Sequence, residues 1–492
     1  MPTRLSSASS ERLPSTVRLP AYDRAGVGVG QVHLGVGAFH RAHQAVFTEG
    51  AIEAAGGDWG VVGVSLRSST AQDQLGPQDG LFTVGTRAGE DEDFRLIGNV
   101  QRVVTAPRDP AAAMAALTDP NVHVVTLTIT EKGYGLDPAT GELMTEAGDV
   151  ASDLFSPRAP RSAIGVLAEA IRQRREAGAP PLTVASCDNL PSNGARVASA
   201  LRQYADRLDP ALAAHVEADI ACPETMVDRI VPATTEDDLD RVAGVLGLRD
   251  EGYVKTEPFL QWVIEDRFAG PRPAWERAGA MIVPAVAPYE TAKLRLLNGP
   301  HSAIAYLGYL SGHDFVHEVM ADDALGPFVT ALMDEEIAQT VAEPEGMPLD
   351  AYAGDLRARF RNSALQHRTW QIAMDGSQKL PQRLLNTIRD RIDEGAPYDR
   401  LALAVAGWMT YAGGKTPSGA AIDVRDPMAD RTAAIREQAD GDLDALLGGF
   451  LKLGECFGDL ARDDGFARTV RSQLAALHEQ GPRGAAQALS SA

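Results

Sequence analysis

Lys293, Asn298 and His301 fall within the stretch KLRLLNGPHSAIAYLGYLSG, which runs from Lys293 to Gly312. A lysine, a carboxamide and an imidazole so close together suit redox chemistry at a hydroxyl-bearing carbon. That chemistry needs a base to take the hydroxyl proton as hydride leaves, and donors for the oxygen in the carbonyl direction. Lysine serves as the base when burial or a neighbouring cation lowers its pKa. Asn298 can supply a neutral donor, and His301 can orient the substrate. At about 100° per residue, His301 lies about 80° and Asn298 about 140° round a helix from Lys293, so the three can share one broad sector. Pro300 lacks a backbone donor and disfavours helical geometry at Gly299, which predicts a kink that turns Asn298 toward a cleft. Spacing alone also allows a snorkelling lysine, an asparagine that caps a helix break and a satisfied, partly buried histidine.

A second candidate lies near the start of the chain. Strand-like QVHL is followed by Gly35-Val36-Gly37-Ala38-Phe39-His40, which opens a helix. Glycines there permit a tight turn and close approach to a pyrophosphate at the helix N-terminus. His40 stands where the third glycine or alanine of such turns usually does, and methyltransferases or plain strand-helix punctuation use similar turns. Dinucleotide sites commonly hold the ribose with an acidic residue at the tip of the second strand. Here the tip reads Leu66-Arg67-Ser68-Ser69. Arg67 can attract a 2′-phosphate, stack on adenine or face water.

Positioning such groups takes a scaffold of strands and helices. Short β-branched runs begin at Val32, Gly60, Val122, Leu182 and Met281, with helical patterns over Arg41–Ala55, Arg161–Ala177 and Asp237–Leu246. Strand-helix alternation predicts an α/β Rossmann-type domain with a parallel sheet covered on both faces. The runs LFTVGTR and DFRLIGNV, separated by AGEDE, predict an inserted hairpin. After Pro288 the pattern becomes amphipathic, over Asp323–Val341, Gln378–Glu394, Asp430–Leu447 and Gly465–Gln480. We expect a dinucleotide-binding domain over 1–284, its first 28 residues frayed, and a mostly α-helical substrate and catalytic domain over 285–492.

With 492 residues, 44% apolar and 23% charged, the chain has the composition of a globular protein of more than one domain. A net charge of -21 opposes nucleic acid and anionic membranes. The run around Arg172-Gln173-Arg174-Arg175 reads as a solvated helix face. Cys187, Cys222 and Cys456 are too few and too scattered for a disulfide scaffold or thiolate zinc site, which fits a reducing cytoplasm. The polar N-terminus lacks an apolar core segment, so neither a signal peptide nor an anchor is expected. Gly413-Gly414-Lys415-Thr416 lacks the earlier glycine of a phosphate-binding loop, that position being Met409. His313 and His317 could share a helix face as metal ligands do, but no third ligand is evident, and a solvated pair is expected.

Seven motifs together resemble the long-chain mannitol dehydrogenase family: GVGAFHRAHQAVFTEG, TITEKGYG, SCDNLPSNG, MVDRIVP, EPFLQWVIED, KLRLLNGPHS and DGSQKLPQRLL. The motifs fall in the expected order, and the resemblance extends from about residue 30 to beyond 430. TEKGY, EPFLQWVIED, HRTWQIAMDGSQKLPQRLL and LAVAGWM look most like the fructuronate reductase (D-mannonate oxidoreductase) branch. The resemblance implies a Rossmann-type domain, a helical domain, NAD as cofactor with NADP still possible, and no metal. It makes Lys293 the catalytic lysine, with Asn189 and Asn298 in an oxyanion site beside His301. Asp228 and Lys379 match substrate-pocket positions, and Glu290 a proton path to solvent, though its spacing to Lys293 equally suits a helix ion pair. Gly35, Gly37, Ala38, Phe39, Arg67 and Ser68 become cofactor contacts. Polyol-oxidising members usually carry an arginine where this chain has Gln371, which favours a uronate. A uronate carboxylate wants a cation, and Arg368, His367, Lys379 and Arg229 are the candidates. The partners expected are a small sugar acid and, at most, a few copies of the chain, with no nucleic acid or membrane. A non-catalytic dinucleotide sensor is the reading from another class.

Overall fold

The computed structural model describes residues 3–146, 148–416 and 419–490. The chain divides into two compact units, Met1–Ala287 and Pro288–Ala492.

In the first unit, β1 (Val29–Leu34), β2 (Gly60–Ser65), β3 (Phe82–Ala88), β4 (Asp91–Ile97), β5 (Val100–Thr105), β6 (Val124–Leu127) and β7 (Thr183–Ser186) are followed by β8 (Thr225–Asp228), β9 (Val254–Thr256), β10 (Gln261–Glu265) and β11 (Met281–Val283). A five-stranded sheet has the order β5-β2-β1-β6-β7. Every pairing in it is parallel. Strands buried on both faces read as unbroken apolar runs, and their residues divide by period two. Val32, Leu34, Val62, Val64, Val125 and Leu127 pack in a core with helices Pro110–Thr118, Ala163–Ala177 and Asn193–Leu208. Val61 and Val103 turn to another cluster, and Val124 to one built on Phe47, Trp262 and Trp275. The order reverses between β1 and β6, and ligands of open α/β sheets bind at the carboxyl ends of strands at such a point.

The inserted hairpin is present, with β3 and β4 antiparallel and Ala88 opposite Asp91 across a two-residue turn. DFRLIGNV, however, is not one strand. It passes from β4 to β5 at Gly98-Asn99, where the buried Glu49 carboxylate accepts hydrogen bonds from both backbone N–H groups and from Asn99 Nδ2. MIVPAV also lies outside the main sheet: β11 joins β10 and β8 in a separate sheet.

The expectation of a frayed N-terminus is wrong from the third residue on. Leu5 and Val17 are buried in a cluster with Leu81, Leu96 and Tyr253. Leu5 N–H donates to the Arg249 carbonyl at 2.8 Å, and Arg18 exchanges backbone hydrogen bonds with β4. Isolated apolar residues in a polar segment show no period, so their burial leaves no pattern to read.

The second unit is helical. Helix Gly299–Leu310 packs against Asp399–Ala412 and Thr369–Ala373, and Asp399–Ala412 against the long segment Asp464–Ser490. That segment leaves helical geometry at Gly481, before Pro482. The pattern over Asp430–Leu447 becomes two helices, because Asp440 and Gly441 both take positive φ. Three π-helical turns occur among the described residues, at Leu294–Asn298, Leu332–Ile337 and Pro381–Leu385. Among the described residues, no helix is long and apolar enough to cross a membrane.

Candidate active site

In the first unit the turn after β1 is set by close backbone approach. Gly35 has φ +96, and a Cβ on it would stand 2.0 Å from the Thr128 carbonyl oxygen at the end of β6. Gly37 is the N-cap of helix Ala38–Ala42, and a Cβ there would meet only the Gly35 oxygen, at 3.8 Å. Phe39, the second residue of that helix, turns aside and stacks on His43 at 4.9 Å. A cavity of about 610 Å3 opens beside the turn, lined among others by Gly35, Gly37, Arg67, Ser68 and Thr130. These features fit the pyrophosphate of a dinucleotide, which needs bare backbone at the turn and room along the strand tips.

His40, the residue in place of a small one, is buried and stacks on His33 with ring centroids 3.6 Å apart. His33 is in turn bonded to Thr126 and Thr128 and to the Gly35 carbonyl. Burial pushes His33 down to about 3 and holds His40 well below the usual imidazole range, helped by His33, Arg41 and His43. Two neutral rings therefore floor the turn. Arg67 faces water with a side chain 81% exposed and pairs with Asp149 at 3.3 Å. Ser68 Oγ bonds Thr70 Oγ1 at 2.6 Å.

Asn189 follows β7 on a loop fixed by its neighbour. The Asp188 carboxylate accepts from the backbone N–H of Ile129 and Thr130 and from the Tyr134 hydroxyl. Asn193 Nδ2 donates to the carbonyls of Asp188 and Thr225. The TEKGY and SCDN motifs thus form one hydrogen-bonded unit that holds Asn189, which is itself exposed. Asp228 ends β8 and is buried. Its neighbour Arg229 is consumed elsewhere: its guanidinium donates to the carbonyls of Ala42 and Glu257, and burial lowers it to about 10. That removes it as a partner for a substrate carboxylate.

In the second unit, Lys293 is the buried last residue of helix Ala287–Lys293, with half-buried Glu290 one turn before it. The expected kink at Gly299-Pro300 is instead a π turn. Gly299 N–H reaches back to the Leu294 carbonyl, and Asn298 and Gly299 keep helical dihedrals. The wider turn takes up the proline and separates Lys293 from Asn298 without breaking the rod. A Cβ on Gly299 would stand 3.0 Å from the Arg383 carbonyl oxygen and 3.4 Å from Ile337 Cδ1, so the three π turns meet at this glycine. Arg295, inside the first of them, donates to the Thr340 carbonyl and pairs with Asp390, each of which lies just beyond one of the other two.

His301 is buried against Phe360 at 4.6 Å and His367 at 5.4 Å. Burial keeps it well below its usual range, with His367, Arg359 and Arg383 adding to the effect, so it acts as a neutral ring. His367 is lowered to about 4 by burial and Arg359. Lys379 donates to the carbonyls of Ile372 and Met374. Arg368 is exposed and lies over the Phe315 ring at 4.9 Å. His313 pairs with Asp322 at 3.0 Å, while His317 stacks on Phe315. Sequence reasoning passed over Tyr134 and Asp188, which hold the loop bearing Asn189, and Arg383, whose charge acts on His301. The signal for Arg383 was its place inside the DGSQKLPQRLL motif.

Two family models match the chain: the mannitol dehydrogenase Rossmann domain over residues 29–277 and the mannitol dehydrogenase C-terminal domain over 285–478. D-mannonate oxidoreductase of Escherichia coli K12 is 43% identical over 95% of this chain and 97% of its own. The uncharacterized oxidoreductase YeiQ of the same organism is 45% identical over 92% and 93%. Among solved structures, the Pseudomonas fluorescens mannitol 2-dehydrogenase ternary complex with NAD and D-mannitol matches with TM-score 0.81 and 35% identity, covering 99% of each chain. The chain belongs to the mannitol dehydrogenase family.

Proposed function

We propose that this oxidoreductase of CH–OH groups catalyses the reversible NAD(H)-dependent reduction of D-fructuronate at C5 to D-mannonate. When bound, the nicotinamide supplies the hydride in the reductive direction. Lys293 gives the carbonyl oxygen its proton, and Asn189 and Asn298 stabilise that oxygen as charge develops. His301, kept neutral, orients the substrate by hydrogen bonding. Asp228 and Lys379 border the substrate, and Glu290 passes the proton between Lys293 and solvent. Gly35 and Gly37, with the main chain of Ala38 and Phe39, receive the dinucleotide, with Arg67 and Ser68 toward its adenosine end.

The observation that carries the uronate reading is Gln371 in place of the polyol-branch arginine, in a chain 43% identical to a D-mannonate oxidoreductase. Oxidation of a neutral polyol is the second reading, favoured by the likeness to a mannitol 2-dehydrogenase bound to D-mannitol. Initial rates at 340 nm with D-fructuronate, D-tagaturonate and D-fructose, each with NADH and NADPH, separate the two. D-fructuronate with NADH should give the highest kcat/KM; preference for D-fructose would favour the second reading. Absence of ketose-dependent NADH oxidation would leave a dinucleotide sensor.

A further inference from the structure

A uronate places its carboxylate four carbon–carbon bonds from the reacting carbonyl carbon, about 5 Å away along an extended chain. The cation that binds it must therefore sit close to Lys293 and His301. Among the cations expected from sequence, Arg229 is spent on backbone carbonyls, and Lys379 is held by the carbonyls of Ile372 and Met374. Arg368 is exposed over Phe315. Arg359 already has a partner.

Arg383 differs from all of these. It sits in the middle of the π turn Pro381–Leu385, whose backbone packs directly on Gly299 of the Lys293–His301 segment. Its guanidinium makes one hydrogen bond among the described residues, a long one of 3.4 Å from Nη1 to Ser302 Oγ, next to His301. No carboxylate pairs with it among the described residues. Its charge is felt by His301, Tyr306 and Lys379. Burial lowers its proton affinity, and the one group opposing that is the Tyr306 phenol rather than an acid. An arginine held in a partly buried place without an anion carries a desolvation cost that a bound carboxylate offsets, and its planar fork suits that ligand.

We propose that Arg383 is the residue that binds the substrate carboxylate and so sets the preference for an acid sugar over a neutral one. This assignment rests on the uronate reading. It also gives Gly299 a duty, since the glycine lets the turn bearing Arg383 lie against the helix bearing His301.

The test is the ratio of kcat/KM for D-fructuronate to that for D-fructose, measured with NADH for the wild type, Arg383→Met and Arg383→Lys. The ratio should fall about 10- to 100-fold in Arg383→Met, through KM for the uronate, the scale of a lost hydrogen bond to a charged group. Arg383→Lys, which keeps the charge without the fork, should lie between. Equal loss on both substrates would make Arg383 a purely structural residue and overturn the assignment. Should Arg383→Met fail to fold, an unchanged ratio in Arg383→Lys overturns it instead. A wild type inactive on D-fructuronate would sink the substrate reading and Arg383 with it; an active wild type whose variants keep the ratio would sink Arg383 alone.

Discussion

Gly35 and Gly299 each let backbone approach backbone beside a functional group, yet they do so for different reasons. Gly35 is needed twice over, for a positive φ and for the 2.0 Å approach to Thr128. Gly299 is helical, with φ -60, and is needed only for space beside Arg383. The first turn works through bare main chain; the second works by aiming side chains. A site made of backbone leaves a degenerate signature, whereas one made of side chains writes its chemistry into residue types.

The largest effect should come from the side-chain site. Lys293→Ala is expected to lower kcat by about 10²–10⁴-fold with NADH binding retained, measured by initial rates and cofactor fluorescence. Near-normal turnover would remove Lys293 as the acid-base group.

Gly35→Ala comes next. Strain at positive φ and the clash with Thr128 together should cost at least about 2 kcal/mol and abolish tight NADH binding. Gly37→Ala, whose Cβ meets only the Gly35 oxygen at ordinary contact distance, should weaken NADH binding while keeping the melting temperature. If the two variants behaved alike, the distinction between conformation and access at this turn would fail.

Gly299→Ala is expected to be milder. Overpacking of about 1–3 kcal/mol is partly offset by better helix propensity, so the melting temperature should move little while kcat falls several-fold. A full loss of folding would show that the π turns cannot yield at all.

The smallest effect concerns the rings beneath the nucleotide turn. His33 and His40 have folded-state pKa values depressed by burial below the ordinary 6.5. As pH falls below about 6.5 the unfolded chain takes up protons first. The stability these groups contribute is therefore complete above that pH and is lost on the way down toward 3. His40→Phe should flatten the fall in melting temperature between pH 6.5 and 4; an unchanged slope would assign the acid sensitivity elsewhere.

Much of the fold was legible in the sequence because burial on both faces leaves continuous β-branched runs, as in β1, β2, β6 and β7. The inserted hairpin and helix Ala163–Ala177 were legible for similar reasons of period and punctuation. What escaped was set by tertiary contact. The split at Gly98-Asn99 depends on Glu49, distant in sequence, and the N-terminal arm on Arg249 and β4. The π turns have no residue signature of their own, so Pro300 suggested a kink where the chain widens instead. Resemblance supplied the roles proposed for Lys293, Asn298 and His301, and spacing left them open. That Arg229 and Lys379 are engaged by carbonyls could be read only from coordinates.

A π turn amounts to an α-helix carrying one surplus residue. Deleting a single position between Leu294 and Leu297 would let the ladder close as an ordinary helix, and by hydrogen-bond count the rod would be sounder. Yet everything downstream would swing by about 100° relative to the lysine. A residue added or removed here acts on the angular register between Lys293 and the Asn298 and His301 side chains while leaving composition almost untouched.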